Sequence, residues 1–309
     1  IDKKKFMILS NPEFLSEGTA IKDLENPDRI LIGGEDEFAI NALSKIYERW
    51  IPKHKILKTN LWSSELSKLT ANAFLAERIS SINSISALCE ATGADIHEVA
   101  KAIGMDSRIG SKFLQSGPGF GGSCFKKDIL NLIYICNYYR LDKVANYWEK
   151  VLLLNEWQQT RITEKIVDKL FGTITSKTIT ILGFSFKANT NDTRESPAIK
   201  ICKDLINEGA CLSIYDPKVS PSQIEKDLNE KATIPPNKKA AGTWNFYESI
   251  YEAVRNADGI VILTEWEEFK SIDWSIVSRV TRRPSWIFDT RNIIDTEKAK
   301  LENFKIWKI

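Results

Sequence analysis

Histidine is almost missing from the 309 residues: only His54 and His97 occur, which all but excludes a histidine-rich metal centre and most histidine-based acid–base chemistry. The five cysteines, at 89, 124, 136, 202 and 211, form no CxxC pair and no zinc spacing, and an odd count does not suit a disulfide framework. Reduced thiols are expected. Charge of one sign is not in excess either. The 43 basic and 41 acidic residues leave a net +2, too even to point to nucleic acid or an acidic membrane. No apolar run approaches the roughly 18 residues that a membrane span needs, and nothing at the start has a signal peptide's basic-then-apolar order. The expectation is a soluble, cytoplasmic protein with no metal, no nucleic-acid partner and no membrane partner. Any catalysis must use Cys, Lys, Asp or Glu.

What is present is an ordinary globular balance, 43% hydrophobic and 27% charged, long enough for about two domains. Residues 6–9 read as a buried strand, Asn11-Pro12 as a turn, residues 30–32 as a second strand ended by Gly33-Gly34, and 36–50 as a helix. Domains seldom begin inside a core strand, so this segment is expected to be the tail of an α/β domain. From Ser63 to Gly93 the apolar residues recur every three or four positions, predicting one long helix with Ser63 or Ser64 as N-cap. A shorter helix over 95–103, closed by Gly104, and helices over 125–139 and 142–171 follow. After Gly172, β-branched runs at 178–182, 212–215, 260–263 and 286–288 alternate with helical stretches, the pattern of a parallel sheet with covering helices. Residues 219–243, with Pro235-Pro236 and Lys238-Lys239, read as an exposed insertion before a strand near Phe246.

The segment 116–128 carries most of the chemistry. Four glycines between 117 and 122 let the backbone approach a ligand closely, and the next helix is expected to hold Cys124 in its first turn. A helix N-terminus with Lys126 and Lys127 nearby favours a nucleophilic thiolate; Asp128, four residues on, shares its face. The same cysteine also fits a small buried residue beside a loop. Lys68 and Asn72, four apart, project from one helix face and suit an oxyanion or a hydroxyl, or else simply face water. Asn11 to Gly18 sets two carboxylates, Glu13 and Glu17, at a strand end where α/β sites lie, though a plain turn fits as well. Gly183 follows the strand over 178–182, and Asp216 ends the next one, where dinucleotide folds place a ribose-binding acid. No GxGxxG follows a strand, so this part is read as binding some other nucleotide.

Taken in order, Asn11-Pro12-Glu13-Phe14-Leu15-Ser16-Glu17-Gly18, Lys68-x-x-x-Asn72, Gly119-Phe120-Gly121-Gly122-Ser123-Cys124-Phe125-x-Lys127-Asp128 and Gly183-x-x-Phe186-Lys187-x-x-Thr190-x-Asp192-x-Arg194-Glu195-Ser196 resemble the UDP-glucose 6-dehydrogenases. The likeness runs from residue 6 to about 295. It is to the eukaryotic branch in Trp62-Ser63-Ser64-Glu65-Leu66 and in the stretch from Ile82 to Glu90.

The resemblance implies an α/β fold in three parts. Residues 1–58 would be a remnant of a Rossmann-like NAD-binding domain, 59–175 a central long-helix dimerisation and active-site region, and 176–309 a doubly wound, parallel-sheet, UDP-binding domain. It implies NAD as cofactor and a double oxidation of UDP-glucose to UDP-glucuronate through a thiohemiacetal and a thioester on Cys124. Lys68 and Asn72 would hold the C6 oxygen, Asp128 would order a water, and Glu13 would serve thioester hydrolysis. The nucleotide sugar would further contact Phe14, Leu15, Lys112, Phe113, Gln115, Phe120, Gly121, Phe186, Lys187 and Arg291, with Arg108 reaching the site of a neighbouring subunit. Glu17, Lys127 and Arg194 would face the cofactor, and the chain would be at least a dimer. The family opens with a complete GxGxxG-bearing half that these residues lack, so UDP-glucose binding with little NAD binding or turnover is expected of them. Other readings are a UDP-sugar-binding or assembly module without catalysis, and a dehydrogenase for GDP-mannose or UDP-N-acetylmannosamine.

Overall fold

The computed structural model describes residues 6–233 and 242–309. In the first part β1 (Leu9–Ser10), α1 (Ala20–Glu25), β2 (Ile30–Gly34), α2 (Glu37–Tyr47) and β3 (Ile56–Thr59) build a three-stranded sheet in the order β1-β2-β3. β3 lies parallel to β2 and β1 antiparallel to it, around a core of Ile30, Ile32, Ile40, Ile51 and Ile56. The buried strand expected over 6–9 is not found. Only Leu9 and Ser10 pair, because β2 ends at Gly34 opposite Leu9 and offers residues 6–8 no ladder; Phe6 is 82% exposed. The short helix α1 was not foreseen. It buries no residue and so carries no core-facing pattern.

Long helices form the second part: α3 (Leu61–Thr92), α4 (Ile96–Gly104), α5 (Phe125–Tyr138) and α6 (Asp142–Lys169). Asn60, not Ser63 or Ser64, caps α3, its side chain accepting from Ser63 N at 2.7 Å, and Gly93 ends it at φ 79°. Gly104 does not close α4 but lies within it. A Cβ there would stand 3.1 Å from Ser111 Cα, so the glycine admits the following loop. Ala73 and Ala76 of α3, Ile129 and Leu132 of α5, and Trp148 and Val151 of α6 meet in one core.

The third part runs through β4 (Thr178–Leu182), α7 (Pro197–Asn207), β5 (Cys211–Tyr215), α8 (Pro221–Leu228), β6 (Thr243–Phe246) and α9 (Ile250–Ala253). It continues with β7 (Gly259–Ile262), α10 (Glu267–Lys270), α11 (Trp274–Val280), β8 (Trp286–Asp289), α12 (Thr296–Leu301) and β9 (Lys305–Lys308). All neighbours in the sheet β6-β5-β4-β7-β8-β9 are parallel. Counted from β4, this is the dinucleotide-fold order, with its switch point between β4 and β7. Ile162, Ile201 and Leu205 pack on one face of the sheet, and Val254, Phe269 and Val277 on the other. The segment expected as an exposed insertion begins instead as α8, whose Ile224 and Leu228 are buried. Pro235-Pro236 and Lys238-Lys239 lie outside the described residues. Among the described residues no helix is long and apolar enough to cross a membrane.

Candidate active site

α3 is the spine of the site, because Lys68 and Asn72, one turn apart, each reach a different partner. Lys68 Nζ lies 3.2 Å from Glu13 Oε1 and 5.4 Å from the centre of the Phe14 ring, while Glu13 Oε2 accepts from Leu15 N at 2.7 Å. Asn72 Nδ2 donates to Asp128 Oδ2 at 2.6 Å, both side chains buried. Asp128 sits in the first turn of α5 and its N–H bonds the carbonyl of Cys124 at 2.8 Å. Two side-chain pairs, Glu13–Lys68 and Asn72–Asp128, thus lie one turn apart along α3, the second one helical turn beyond Cys124, although Glu13 and Lys68 are 55 positions apart in sequence and Asn72 and Asp128 56.

Cys124 occupies the N-cap position of α5 rather than its first turn, with Sγ 3.5 Å from Ser123 Oγ. It is half-buried, whereas Cys89, Cys136, Cys202 and Cys211 are buried. Burial pushes the thiols of Cys136, Cys202 and Cys211 up. The expected pair of flanking cations is reduced: Lys126 is held by Glu195 at 3.0 Å, and Lys127 is exposed.

The glycine-rich loop packs against protein rather than standing open. Gly122 N donates to Arg194 O at 2.8 Å, and a Cβ on Gly121 would stand 2.5 Å from Glu195 O and 2.9 Å from Phe186 Cβ. The Phe186 ring therefore lies on the Gly121-Gly122 backbone, two residues before the thiol. Phe120 belongs to the core, 5% exposed and edge-on to Phe125, and both polar groups of its peptide are taken by Asn155. Upstream, Arg78 gathers the carbonyls of Ile109, Gly110 and Lys112 at 2.7–2.9 Å, shaping the loop that presents the exposed Lys112, Phe113 and Gln115.

At the switch point, Gly183 (φ 92°) closes over Thr264; a Cβ there would stand 2.4 Å from Thr264 Cβ. Asp216 accepts from the N–H groups of Phe184, Ser185, Lys218 and Val219 and from Trp266 Nε1, so it braces two loops and is not free for a ribose. Lys187 Nζ donates to Glu17 O at 2.7 Å, and Thr190 Oγ1 to Glu17 Oε1 at 2.6 Å. Arg291 Nε donates to Leu263 O at 2.8 Å, Nη2 to Phe186 O at 3.1 Å, and Glu265 stands 3.1 Å from Nε. Burial lowers the Arg291 pKa, and Glu265 opposes that shift.

Phe186 and Arg291 are thus brought to the glycine loop, whereas the Lys187 ammonium reaches Glu17. Arg108 and Arg194 are exposed side chains, each paired with an acid two positions earlier, Asp106 and Asp192 respectively, and Arg194 also lies within electrostatic reach of Glu17 and Cys124. Reading by motif missed Arg78, Asn83, Asn155, Gln158 and Glu265. For Arg78, Asn83, Asn155 and Gln158 the one signal was a polar side chain within the apolar pattern of α3 or α6; Glu265, in the loop between β7 and α10, gave none.

Residues 117–122 do spell GxGxxG, yet no strand leads into them and their peptides are bound by Asn83, Asn155 and Gln158. Gly33-Gly34 ends β2, but Ser64 fills the space beside Gly33, and an acid, Asp36, caps the next helix. The described residues therefore do not build a pyrophosphate cradle around Glu17, Lys127 and Arg194.

A parallel sheet in dinucleotide-fold order, joined to long helices beside a half-buried cysteine that follows a glycine-rich loop, defines an α/β protein of the dinucleotide-fold class. Models of the UDP-glucose/GDP-mannose dehydrogenase family match throughout: its NAD binding domain at residues 2–51, its central domain at 62–157 and its UDP binding domain at 180–296. The chain is 56% identical over 306 residues to the UDP-glucose 6-dehydrogenase of Drosophila melanogaster, covering 98% of this chain and 64% of that protein. It is 51% identical to UDP-glucose 6-dehydrogenase 1 of Oryza sativa subsp. japonica, covering 98% and 66%. It thus spans just under two thirds of these relatives. A UDP-glucose dehydrogenase structure from Pyrobaculum islandicum superimposes with a TM-score of 0.82 at 30% identity, covering 99% of this chain and 63% of that one. The chain belongs to the UDP-glucose/GDP-mannose dehydrogenase family, NAD-dependent oxidoreductases.

Proposed function

We propose that this chain supplies the thiol and the nucleotide-sugar site for oxidation of UDP-glucose to UDP-glucuronate, with NAD as the hydride acceptor. The observation that carries the reading is the buried Asn72–Asp128 hydrogen bond one helical turn beyond Cys124. Lys68 and Asn72 orient the C6 oxygen; Lys68 brings positive charge to it, and Asn72 is fixed by its bond to Asp128. The Cys124 sulfur bonds to the C6 carbon at the aldehyde stage, keeping that intermediate on the protein as a thiohemiacetal. Alcohol to acid is a four-electron change, so two NAD would be needed, one for each hydride leaving C6; with the second hydride gone the adduct is a thioester, a water held by Asp128 attacks its carbonyl carbon, the carbon–sulfur bond breaks and the thiolate is restored. Glu13, on the other side of Lys68, takes the proton that the water gives up. Phe186, Lys187 and Arg291 hold the uridine and diphosphate beside the glycine loop.

Calorimetry on the 309-residue chain tests the site: measurable UDP-glucose binding is expected, with NAD far weaker for want of a cradle, and no UDP-glucose binding overturns the reading. In protein competent for turnover, Cys124→Ser abolishes uronate formation while UDP-glucose still binds. Retained turnover would reduce Cys124 to a structural thiol.

A further inference from the structure

We propose that Gln158 is a positioning residue for the nucleotide-sugar site, its amide locked by Arg161 so that it holds the Gly117 peptide against Arg291. The inference rests on the functional reading above. Gly117 is gripped at both polar groups by side chains from two different helices: its N–H donates to Asn83 Oδ1 of α3 at 2.8 Å, and its carbonyl accepts from Gln158 Nε2 of α6 at 2.9 Å. Both side chains are wholly buried. On its other side the same residue meets the cation of the sheet domain, since a Cβ on Gly117 would stand 3.6 Å from Thr290 O and 3.7 Å from Arg291 Nη1. Gly117 is therefore wedged between α3, which also carries Lys68 and Asn72, and α6 on one side, and the arginine proposed to hold the nucleotide on the other.

An amide can turn either end toward a carbonyl, and only one end donates. Arg161 removes the ambiguity. Its Nη1 donates to Gln158 Oε1 at 3.2 Å, which leaves Nε2 for Gly117. Arg161 is itself paired with Glu90, and Glu90 accepts from Trp307 Nε1 on β9 at 3.3 Å, so the orientation of this amide is tied to the sheet domain. Gln158 has both ends engaged, whereas Asn83 Nδ2 is buried with no partner among the described residues, so the fixed end of the grip is Gln158. Three residues earlier on α6, Asn155 holds both polar groups of Phe120 in the same way. With peptides 117 and 120 both anchored from behind, the nucleotide side and the thiol side of the loop cannot shift independently.

The test is Gln158→Glu, which keeps the shape and the Arg161 partner but turns an acceptor toward the Gly117 carbonyl. Calorimetry is expected to give a UDP-glucose dissociation constant raised on the order of tenfold, as for loss of one buried hydrogen bond, with a thermal midpoint within roughly 4 °C of the wild type. Affinity in this variant, unlike the wild type, should recover as pH is lowered, because a protonated carboxyl donates where the amide did. Gln158→Met, which carries no charge, should weaken binding at every pH and provides the test if the first variant does not fold. Wild-type affinity in the folded variant or variants overturns the positioning role. Absence of UDP-glucose binding by the wild-type chain instead overturns the reading of the site on which this proposal rests.

Discussion

Reactivity at the residue scale is decided by access as much as by charge. Cys124 is half-buried at a helix N-cap, while burial raises the thiols of Cys136, Cys202 and Cys211 and so disfavours their thiolates. Limiting iodoacetamide followed by peptide mass spectrometry should label Cys124 first of the five; preferential labelling of Cys89 or Cys202 would contradict the site. Glycines near the site are equally specific in what they do. Gly183 combines φ 92° with three Thr264 atoms within 2.8 Å of where a Cβ would be, so Gly183→Ala adds backbone strain to a steric clash. Chemical denaturation should show a loss of at least about 2 kcal/mol. A variant as stable as the parent would mean that the loop relaxes freely, and with it that the switch point is not rigid.

At the scale of elements, α3, α6 and β9 are tied by one carboxylate. Burial alone would raise the Glu90 pKa, but hydrogen bonds from Lys165 and Trp307 and the charge on Arg161 outweigh it and hold the carboxyl below its ordinary 4.5. A depressed folded pKa stabilises the fold above pH 4.5, and that contribution is lost as pH falls through the lower folded value. Glu90→Gln should therefore cost about 2 kcal/mol near neutrality, as expected when one partner of a partly buried pair is removed. It should also flatten the acid limb of stability against pH, measured by urea unfolding between pH 3 and pH 7; an unchanged limb would show that the three elements are held by packing alone. Which elements could be read in advance follows the same physics. α3, α5, α6 and the strands β4, β5, β7 and β8 bury apolar patterns and were legible to within a few residues; α1 buries nothing, and β9 has only two apolar residues between lysines, of which Trp307 alone is buried. In the site, Glu13, Lys68, Asn72, Cys124 and Asp128 stand in recognisable spacings. Arg78, Asn83, Asn155 and Gln158 do not, because each binds the backbone of a loop some thirty to forty positions away, a pairing that only the packed helices create.

Across the whole molecule, the groups proposed to react lie where the parts meet. Glu17 of the first part receives Lys187 and Thr190 from the third, while Glu13 meets Lys68 of the second, so the site depends on all three being held together. Yet the helical part leaves a broad apolar surface uncovered among the described residues: Phe74 and Leu88 on α3 are 54% and 59% exposed, and Tyr134 and Tyr138 on α5 are 69% and 72% exposed. α3 packs on α5 and α6 through Ala73 and Ala76 and leaves Phe74 and Leu88 outside that core. Surface of this kind is costly in water and self-complementary when a two-fold axis runs beside a long helix, so two copies packed through α3 would bury it. Sedimentation at micromolar concentration should give at least a dimer. Leu88→Glu, which places a charge in that face without touching the site, should shift the chain toward monomer by at least roughly tenfold in dissociation constant, as burial of an unpaired charge demands. If the wild-type chain sediments as a monodisperse monomer, the apolar face is not a subunit interface, and Arg108 has no neighbouring site to reach.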